Sequence, residues 1–235
     1  MNFLKEKLKF FLSKCLSLSV LSRLKQNIIW RKIINKKNIR YLSRSSKKLP
    51  HEQFNKRIRN VVWDEAAKFI GENSKVLYIE LGVWEGYSIE YFSKIFKNKE
   101  STFHGFDTFT GMPENWRHMD QGHYDQTGNI PKFQDNRIKL HKGMFQDTLE
   151  NFLKDLKIDK DTKVIINFDC VLYTSTLFCL FKIDKYFENY YFLFDEFYGD
   201  ECRAFSHFTE SNKKDYELFF ASESNYAPEV LFGRF

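Results

Sequence analysis

A chain of 235 residues, 43% of them apolar, is long enough for one α/β domain with an extension, and no run approaches the roughly 18 apolar residues of a membrane span. Cys15, Cys170, Cys179 and Cys202 show no paired metal spacing, which points to reduced thiols in a cytoplasmic protein. The net charge of +6 conceals an asymmetry: residues 1–50 carry fourteen Lys and Arg against Glu6 alone, so the remainder is acidic.

Residues 2–30 are helical in period, with Leu4, Leu8, Phe11, Cys15 and Leu18 near one stripe and Lys5, Lys9 and Lys14 off it. Lys14 interrupts the apolar stretch, which argues against a secretory signal. A basic amphipathic helix of this kind can lie peripherally on the anionic inner face of a membrane. It can also pack on its own domain or on a second copy, and a homo-oligomer is the expectation. An RNA-binding arm would need Arg31, Lys32, Lys36, Lys37 and Arg40 to face phosphates; such runs are more often solvated, and nucleic acid is not expected. Residues 43–50, SRSSKKLP, read as a linker, which divides the chain into a basic helical extension (1–50) and a main domain (51–235).

Within the main domain the period alternates. Residues 52–71 read as a helix ended by Gly71. Val76, Leu77, Tyr78 and Ile79 form a buried strand that Glu80 ends, Gly82 and Gly86 bracket a tight turn, and a helix begins near Ser88. A second strand, residues 102–106, ends in Asp107. Residues 108–135 have little periodicity, and a loop this long in a compact domain is usually functional or disordered. Its Trp116, His118, His123 and Tyr124 are of the kind that close over a substrate. A third strand contains Ile138 and Leu140, a helix spans 148–156, and KVIINF (163–168) is a fourth strand followed by Asp169. Residues 172–187 are helical, YYFLF (190–194) is a fifth strand followed by Asp195 and Glu196, and residues 199–210 are helical. Residues 216–221 and 229–235 read as a terminal antiparallel pair. Five βα units and a hairpin make a mostly parallel, Rossmann-like α/β sheet.

This alternation places Glu80, Asp107, Asp169, Asp195 and Glu196 at strand carboxyl ends, where open α/β sheets bind ligands. An acid about 20 residues beyond a glycine turn suits the two ribose hydroxyls of a nucleoside cofactor; the alternative for Asp107 is a helix N-cap, and the combination of strand, acid and spacing favours the ribose. Asp169, Asp195 and Glu196 leave adjacent strands about 4.8 Å apart, so they are expected to meet on one Mg²⁺. The alternative is that Asp195 and Glu196 cap the next helix.

The spacing of Glu80, Gly82 and Gly86 resembles motif I of class I S-adenosylmethionine (SAM) methyltransferases. With ELGVWEGYSI, FDTFTGMPE, HKGMFQDTL, NFDCVLYTST and FDEFYGD in order, residues 75–210 are similar to the macrocin and mycinamicin type O-methyltransferases. The resemblance implies a class I methyltransferase domain over 51–235 with SAM held by Glu80, Gly82, Gly86, Ser88, Asp107, Thr108, Gly143 and Phe145. It implies a divalent metal on Asp169, Asp195 and Glu196, and methyl transfer to a hydroxyl of a sugar or glycan. One position departs from the family: its Asp-x-Asp-x-Tyr motif has Val171 in place of the second Asp, the group expected to be the base. Asp169 then stands beside His118, His123, His207 and Tyr173 as candidates for the catalytic role. Two other readings are a non-catalytic SAM-binding module recruited by its N-terminal helices, which Val171 supports, and a nucleic-acid methyltransferase, which would want an N/D-P-P-Y motif that is absent.

Overall fold

The structure, a computed structural model, describes residues 28–30, 33, 39–47, 49–117, 119–224 and 227–235. The amphipathic stripe at the N-terminus, the basic residues Arg31, Lys32, Lys36 and Lys37, and His118 lie outside the described residues. Among those described, no helix is long and apolar enough to cross a membrane.

Strand β1 (Arg40–Ser45) is followed by α1 (His51–Phe54), a π-helical turn (Asn55–Arg59) and α2 (Asn60–Ile70). The chain continues through β2 (Val76–Leu81), α3 (Tyr87–Ile95), β3 (Thr102–Asp107), β4 (Ile138–Lys142) and α4 (Phe145–Asp155). Then come β5 (Lys163–Phe168), α5 (Tyr173–Asp184), β6 (Tyr191–Phe194), α6 (Asp200–Asn212), β7 (Glu217–Ser224) and β8 (Ala227–Arg234). All eight strands form one sheet in the order β1-β7-β8-β6-β5-β2-β3-β4. Only β8 runs antiparallel to its neighbours β6 and β7. This is a Rossmann-like, mostly parallel sheet with an antiparallel C-terminal hairpin.

Strand parity builds the two-sided core. Leu77, Ile79 and Leu81 join the apolar cluster that includes Leu149, Leu153, Leu180, Ile183 and Phe205 of α4, α5 and α6. Val76 and Tyr78 face the other way, into a cluster with Val62, Trp63, Ile89 and Phe92 of α2 and α3. A strand covered on both faces reads as a continuous apolar run, which is why β2 and β5 were plain in the sequence.

The sheet begins earlier than the sequence suggested. Residues 40–45, assigned to the basic extension and its linker, pair in parallel with β7, from Arg40↔Phe220 to Ser45↔Ser224. Arg40 and Arg44 occupy exposed positions on this edge strand, and charges there suppress pairing with other chains while disguising the strand as a linker. Trp30 and Ile33 also belong to the core; the Trp30 ring meets Phe197 edge-on at 5.5 Å.

At the far side of the sheet, His104 on β3 and His141 on β4 share a hydrogen bond of 3.0 Å between Nδ1 and Nε2. Phe106 stacks on His141 at 4.3 Å and Phe152 lies 4.6 Å from His104. Whichever ring donates, the other must accept and is neutral, so the two rings cannot both be charged in this arrangement. Burial first, then the neighbouring His141 and Lys139, lowers the pKa of His104 from 6.5 to about 3, and burial lowers that of His141 as well. Because the folded pKa is depressed, the unfolded chain takes up protons first as pH falls below about 6.5. The contribution of the pair is therefore complete above that pH and lost progressively toward pH 3. Denaturant titrations of His104→Gln should show a loss between pH 7 and 4.5 smaller than the parent's by about 2 kcal/mol; identical slopes would remove the pair as a source of acid sensitivity.

Candidate active site

From β2 the chain moves outward through β3 to β4, then returns to β5 on the other side of β2 and continues to β6. The switch point lies between β2 and β5, and an open α/β sheet forms its crevice there, above the strand carboxyl ends. A cavity of about 470 Å³ occupies this place. Its wall comes from residues 82–88 after β2, Asp107 at the end of β3 with Thr108 after it, and residues 143–146 around the start of α4. Residues 169–172 after β5 and Asp195 and Glu196 after β6 complete the floor, and Arg59, Asn55, Phe54 and His51 close it from α1 and the π-helical turn.

Gly82 makes the turn after β2 possible. It has φ +98°, and a Cβ there would lie 2.0 Å from the carbonyl oxygen of Asp169. Only glycine lets the loop pass so close to the end of β5. Asp107 holds the same loop from the other side: its Oδ2 accepts from the amides of Val83 (2.8 Å) and Trp84 (2.9 Å), and its Oδ1 accepts from the amide of Phe109 (2.8 Å). The next regular element is a strand, so Asp107 caps loop amides and not a helix. Oδ2 already accepts from two amides, whereas Oδ1 accepts from one and keeps a second lone pair, so acceptance from a ribose hydroxyl is compatible with this clamp.

Gly82, Gly86, Ser88, Asp107, Thr108, Gly143 and Phe145, the residues expected to meet the cofactor, all line the cavity. Glu80 is placed differently. Strand β2 continues through Leu81, and parity turns Glu80 to the face of Val76 and Tyr78, where it is fully buried and outside the cavity wall. The Tyr78 hydroxyl donates to its Oε2 at 2.6 Å. Burial raises its pKa to about 8 against the hydrogen bonds of Tyr78, Ser88 and Asn167. Ser88, one of these partners, lines the cavity.

Asp169, Asp195 and Glu196 do line one floor, as expected from adjacent β5 and β6. They do not form the expected metal centre: among the described residues no three His, Cys, Asp or Glu side chains converge to hold an ion. The positive charge comes instead from Arg59, whose Nη2 lies 2.7 Å from Asp195 Oδ2, and whose charge is also attracted by Asp169, Glu196 and Glu229. The donor set present does not fit a three-carboxylate Mg²⁺ site. Burial raises the pKa of all three acids; the charge of Asp195 adds to this at Asp169 and Glu196, and Arg59 opposes it at each. Neither Asp195 nor Glu196 caps α6, whose N-cap is Gly199 without a side-chain bond.

Arg59 had no signal in the apolar stripe from which its helix was read. The π-helical turn adds a residue to the helical repeat, and Asn55 in the same turn accepts from Arg59 Nη1 at 3.3 Å. Such turns occur frequently at functional sites. An Asn–Arg pair four residues apart, each directly after an apolar residue (Phe54 and Ile58), is the trace that a closer reading would have found.

Val171, at the departure from the family pattern, has φ +65°, unusual for a β-branched residue. Its amide donates to Glu201 Oε1 at 3.0 Å, which fixes the backbone after β5 in this form. The other candidate bases lie elsewhere. Tyr173 and His207 bond each other at 2.9 Å outside the cavity wall. His123 packs against Tyr124, ring centroids 4.5 Å apart, and is also outside the wall. Trp116, expected to close over a substrate, is buried and donates from Nε1 to Asp200 at 3.1 Å. Tyr124 does line the cavity.

Residues 79–188 match a family model described as a methyltransferase domain. No curated protein matches the chain. Among solved structures it is similar to a TDP-rhamnose 3'-O-methyltransferase of calicheamicin biosynthesis, at 19% identity over 79% of this chain and 87% of that one, with a TM-score of 0.48. It is similar to an O-methyltransferase of Streptomyces achromogenes involved in tomaymycin synthesis, in complex with SAM, at 9% identity over 80% of each chain with a TM-score of 0.46. It is also similar to an O-methyltransferase from Bacillus cereus in complex with S-adenosylhomocysteine (SAH), at 8% identity over 97% and 96% of the two chains with a TM-score of 0.47. The family match runs from within β2 to beyond α5 and contains Gly82, Asp107, Gly143 and Asp169, so much of the cavity wall falls within the segment that resembles a methyltransferase domain.

Proposed function

We propose that the protein is a SAM-dependent O-methyltransferase acting on a hydroxyl of a sugar or glycan. The observation that carries this reading is a single switch-point cavity whose two halves differ in chemistry. One half is a glycine loop clamped by Asp107, and the other is a floor of Asp169, Asp195 and Glu196 under Arg59. When bound, SAM supplies a methyl group already activated by its sulfonium, which leaves the acceptor hydroxyl as the weak partner. The glycine loop and Asp107 hold and orient the nucleoside, and closure by α1 and the π-helical turn limits water. Asp169, with its pKa raised by burial and by Asp195, is a stronger base than an exposed carboxylate and takes the hydroxyl proton. Since the carboxylates do not converge on an ion, transfer is expected to continue in EDTA.

Calorimetry with SAH tests the cofactor half. Asp107→Ala should weaken binding by about 1.5–3 kcal/mol, the scale of hydrogen bonds to a charged acceptor. Unchanged affinity would remove Asp107 from the cofactor site, and absence of any SAH binding to the parent protein would sink the reading. A SAM-binding module without transfer is the second reading, favoured by Val171 at the position of the family's acid; labelled SAM with a panel of sugars and glycans separates the two. Trp30 and Ile33 are buried in the core of this domain, which supports the reading that the basic extension packs on its own domain.

A further inference from the structure

Beside the cavity stands a guanidinium whose donors the chain leaves largely unused. Met112 and Pro113 line the cavity, and the hairpin that follows them closes where Trp116 and Met119 exchange backbone hydrogen bonds of 2.9 and 2.8 Å. Arg117 lies inside this turn with φ +55°, a left-handed conformation that residues with a Cβ rarely adopt. Trp116 anchors it. That ring is buried with Met112 and Leu172, against which Tyr124 and Val171 also pack, and its Nε1 donates to Asp200 at 3.1 Å. The Arg117 guanidinium is held 4.0 Å from the Trp116 ring and 4.4 Å from the Tyr198 ring, and its Nη1 donates to the Tyr198 hydroxyl at 2.8 Å.

The remaining donors face outward. Arg117 is exposed, and among the described residues its side chain has no ion pair and no hydrogen bond besides that to Tyr198. Nε and Nη2 therefore keep their N–H groups for a ligand, and the Tyr198 hydroxyl, having accepted from Nη1, still has its own proton to give. Burial and then Glu196 raise the pKa of Tyr198, so that proton stays in place at neutral pH. The pair adjoins the floor. Glu196 lies two residues before Tyr198; burial and Asp195 raise its pKa, and Arg117 opposes them ahead of Arg59.

We infer that Arg117 and Tyr198 form an oxyanion-recognising rim of the acceptor site, and that the acceptor carries a carboxylate or phosphate group which this rim holds while a hydroxyl enters the cavity. This rests on the methyl-transfer reading above and deepens it to an acidic sugar or glycan. A planar guanidinium already stacked on aromatic rings has little freedom left to lose, and its open edge matches two oxygens of a carboxylate or phosphate. A cationic group would be repelled there, and a neutral sugar would leave the charge uncompensated. Neither Arg117 nor Tyr198 belongs to the cavity wall, so an anion bonded to them stays out of the acidic floor. The floor takes the hydroxyl and the rim takes the charge, which fixes the acceptor at two points.

Titrations of the full-length protein with SAH present test this, with methyl glucoside, methyl glucuronide and methyl glucoside 6-phosphate as probes. The Nε–H NMR signal of Arg117, identified by its absence in Arg117→Gln, reports contact at the guanidinium, and calorimetry gives the affinities. At least one anionic glycoside should shift that signal and bind at least ten-fold more tightly than the neutral glucoside; the tighter of the two identifies the group as carboxylate or phosphate. Arg117→Gln should reduce the preference to less than three-fold while SAH affinity stays at the parent value, which verifies that the variant is folded. Tyr198→Phe keeps the ring, and should weaken the anionic probe several-fold without changing the neutral one. Equal binding of neutral and anionic glycosides, no binding of any probe, binding without a shift at Arg117, or an undiminished preference in either variant would each overturn the inference. These failures leave SAH binding intact, whereas failure of the methyltransferase reading itself appears as loss of SAH binding in the parent.

Discussion

Arg59→Met should lower the unfolding free energy by about 3–5 kcal/mol, the scale seen when one partner of a buried ion pair is removed. Met keeps the length of the aliphatic stem, so the loss reports on charge more than on volume. Asp195 is left buried beside Asp169 and Glu196 with no described cation bonded to it. Its pKa is already raised by burial, with Arg59 as the opposing influence, so the variant raises it further. A carboxyl whose folded pKa lies above the unfolded value loses stability as pH rises through that folded pKa. The defect should therefore be larger at pH 8 than at pH 5, and adding Asp195→Asn should restore much of it by removing the unpaired charge. Urea denaturation at the two pH values measures both effects. A loss below about 1 kcal/mol at pH 8 would show that the pair is solvated and that Arg59 does not hold the floor.

Gly82→Ala should abolish measurable SAH binding, a weakening of more than about 100-fold, because a misplaced positioning loop loses its geometry as a unit. The added methyl would stand 2.0 Å from the carbonyl oxygen and 2.9 Å from the carbonyl carbon of Asp169, both backbone atoms at the end of β5. Neither the loop nor the strand can yield without moving the other, and φ of +98° adds strain for any residue with a Cβ. Gly122→Ala is the control: its φ is +86°, yet nothing lies within 4 Å of the added atom. It should cost only the backbone strain, about 1 kcal/mol, and leave SAH affinity unchanged. Equal effects of the two variants on SAH binding would mean that contact with Asp169 is not what requires glycine at 82.

The residues that were plain in the sequence are those whose role is local. Val76 to Ile79, KVIINF and YYFLF announce buried strands by composition, and the carboxylates after them fall at the cavity because strand ends must. Glu80 shows how narrow that inference is. One further strand residue, Leu81, puts Glu80 inside the strand and not at its end, so it stays on the covered face of Val76 and Tyr78 and bonds the Tyr78 hydroxyl. Arg59 was illegible for another reason: its partner Asp195 is 136 positions away, and the π-helical turn that aims it breaks the period by which helices are recognised. Strand β1 was hidden by its own arginines, since the charges that protect an edge also make it read as solvent-facing linker. The metal expectation finds no support among the described residues, and the cation that the like charges called for can be Arg59, distant in sequence and adjacent in the fold.

The pairing of β1 with β7 also bears on how the chain is made. Arg40 and Phe220 are partners 180 positions apart, so the edge strand leaves the ribosome long before the strand that receives it. At synthesis rates of about 5–20 residues per second the wait is on the order of 10–40 s, during which Tyr41 and Leu42 have no sheet to join. The net positive charge of residues 1–50 favours repulsion between such strands on neighbouring nascent chains during that wait.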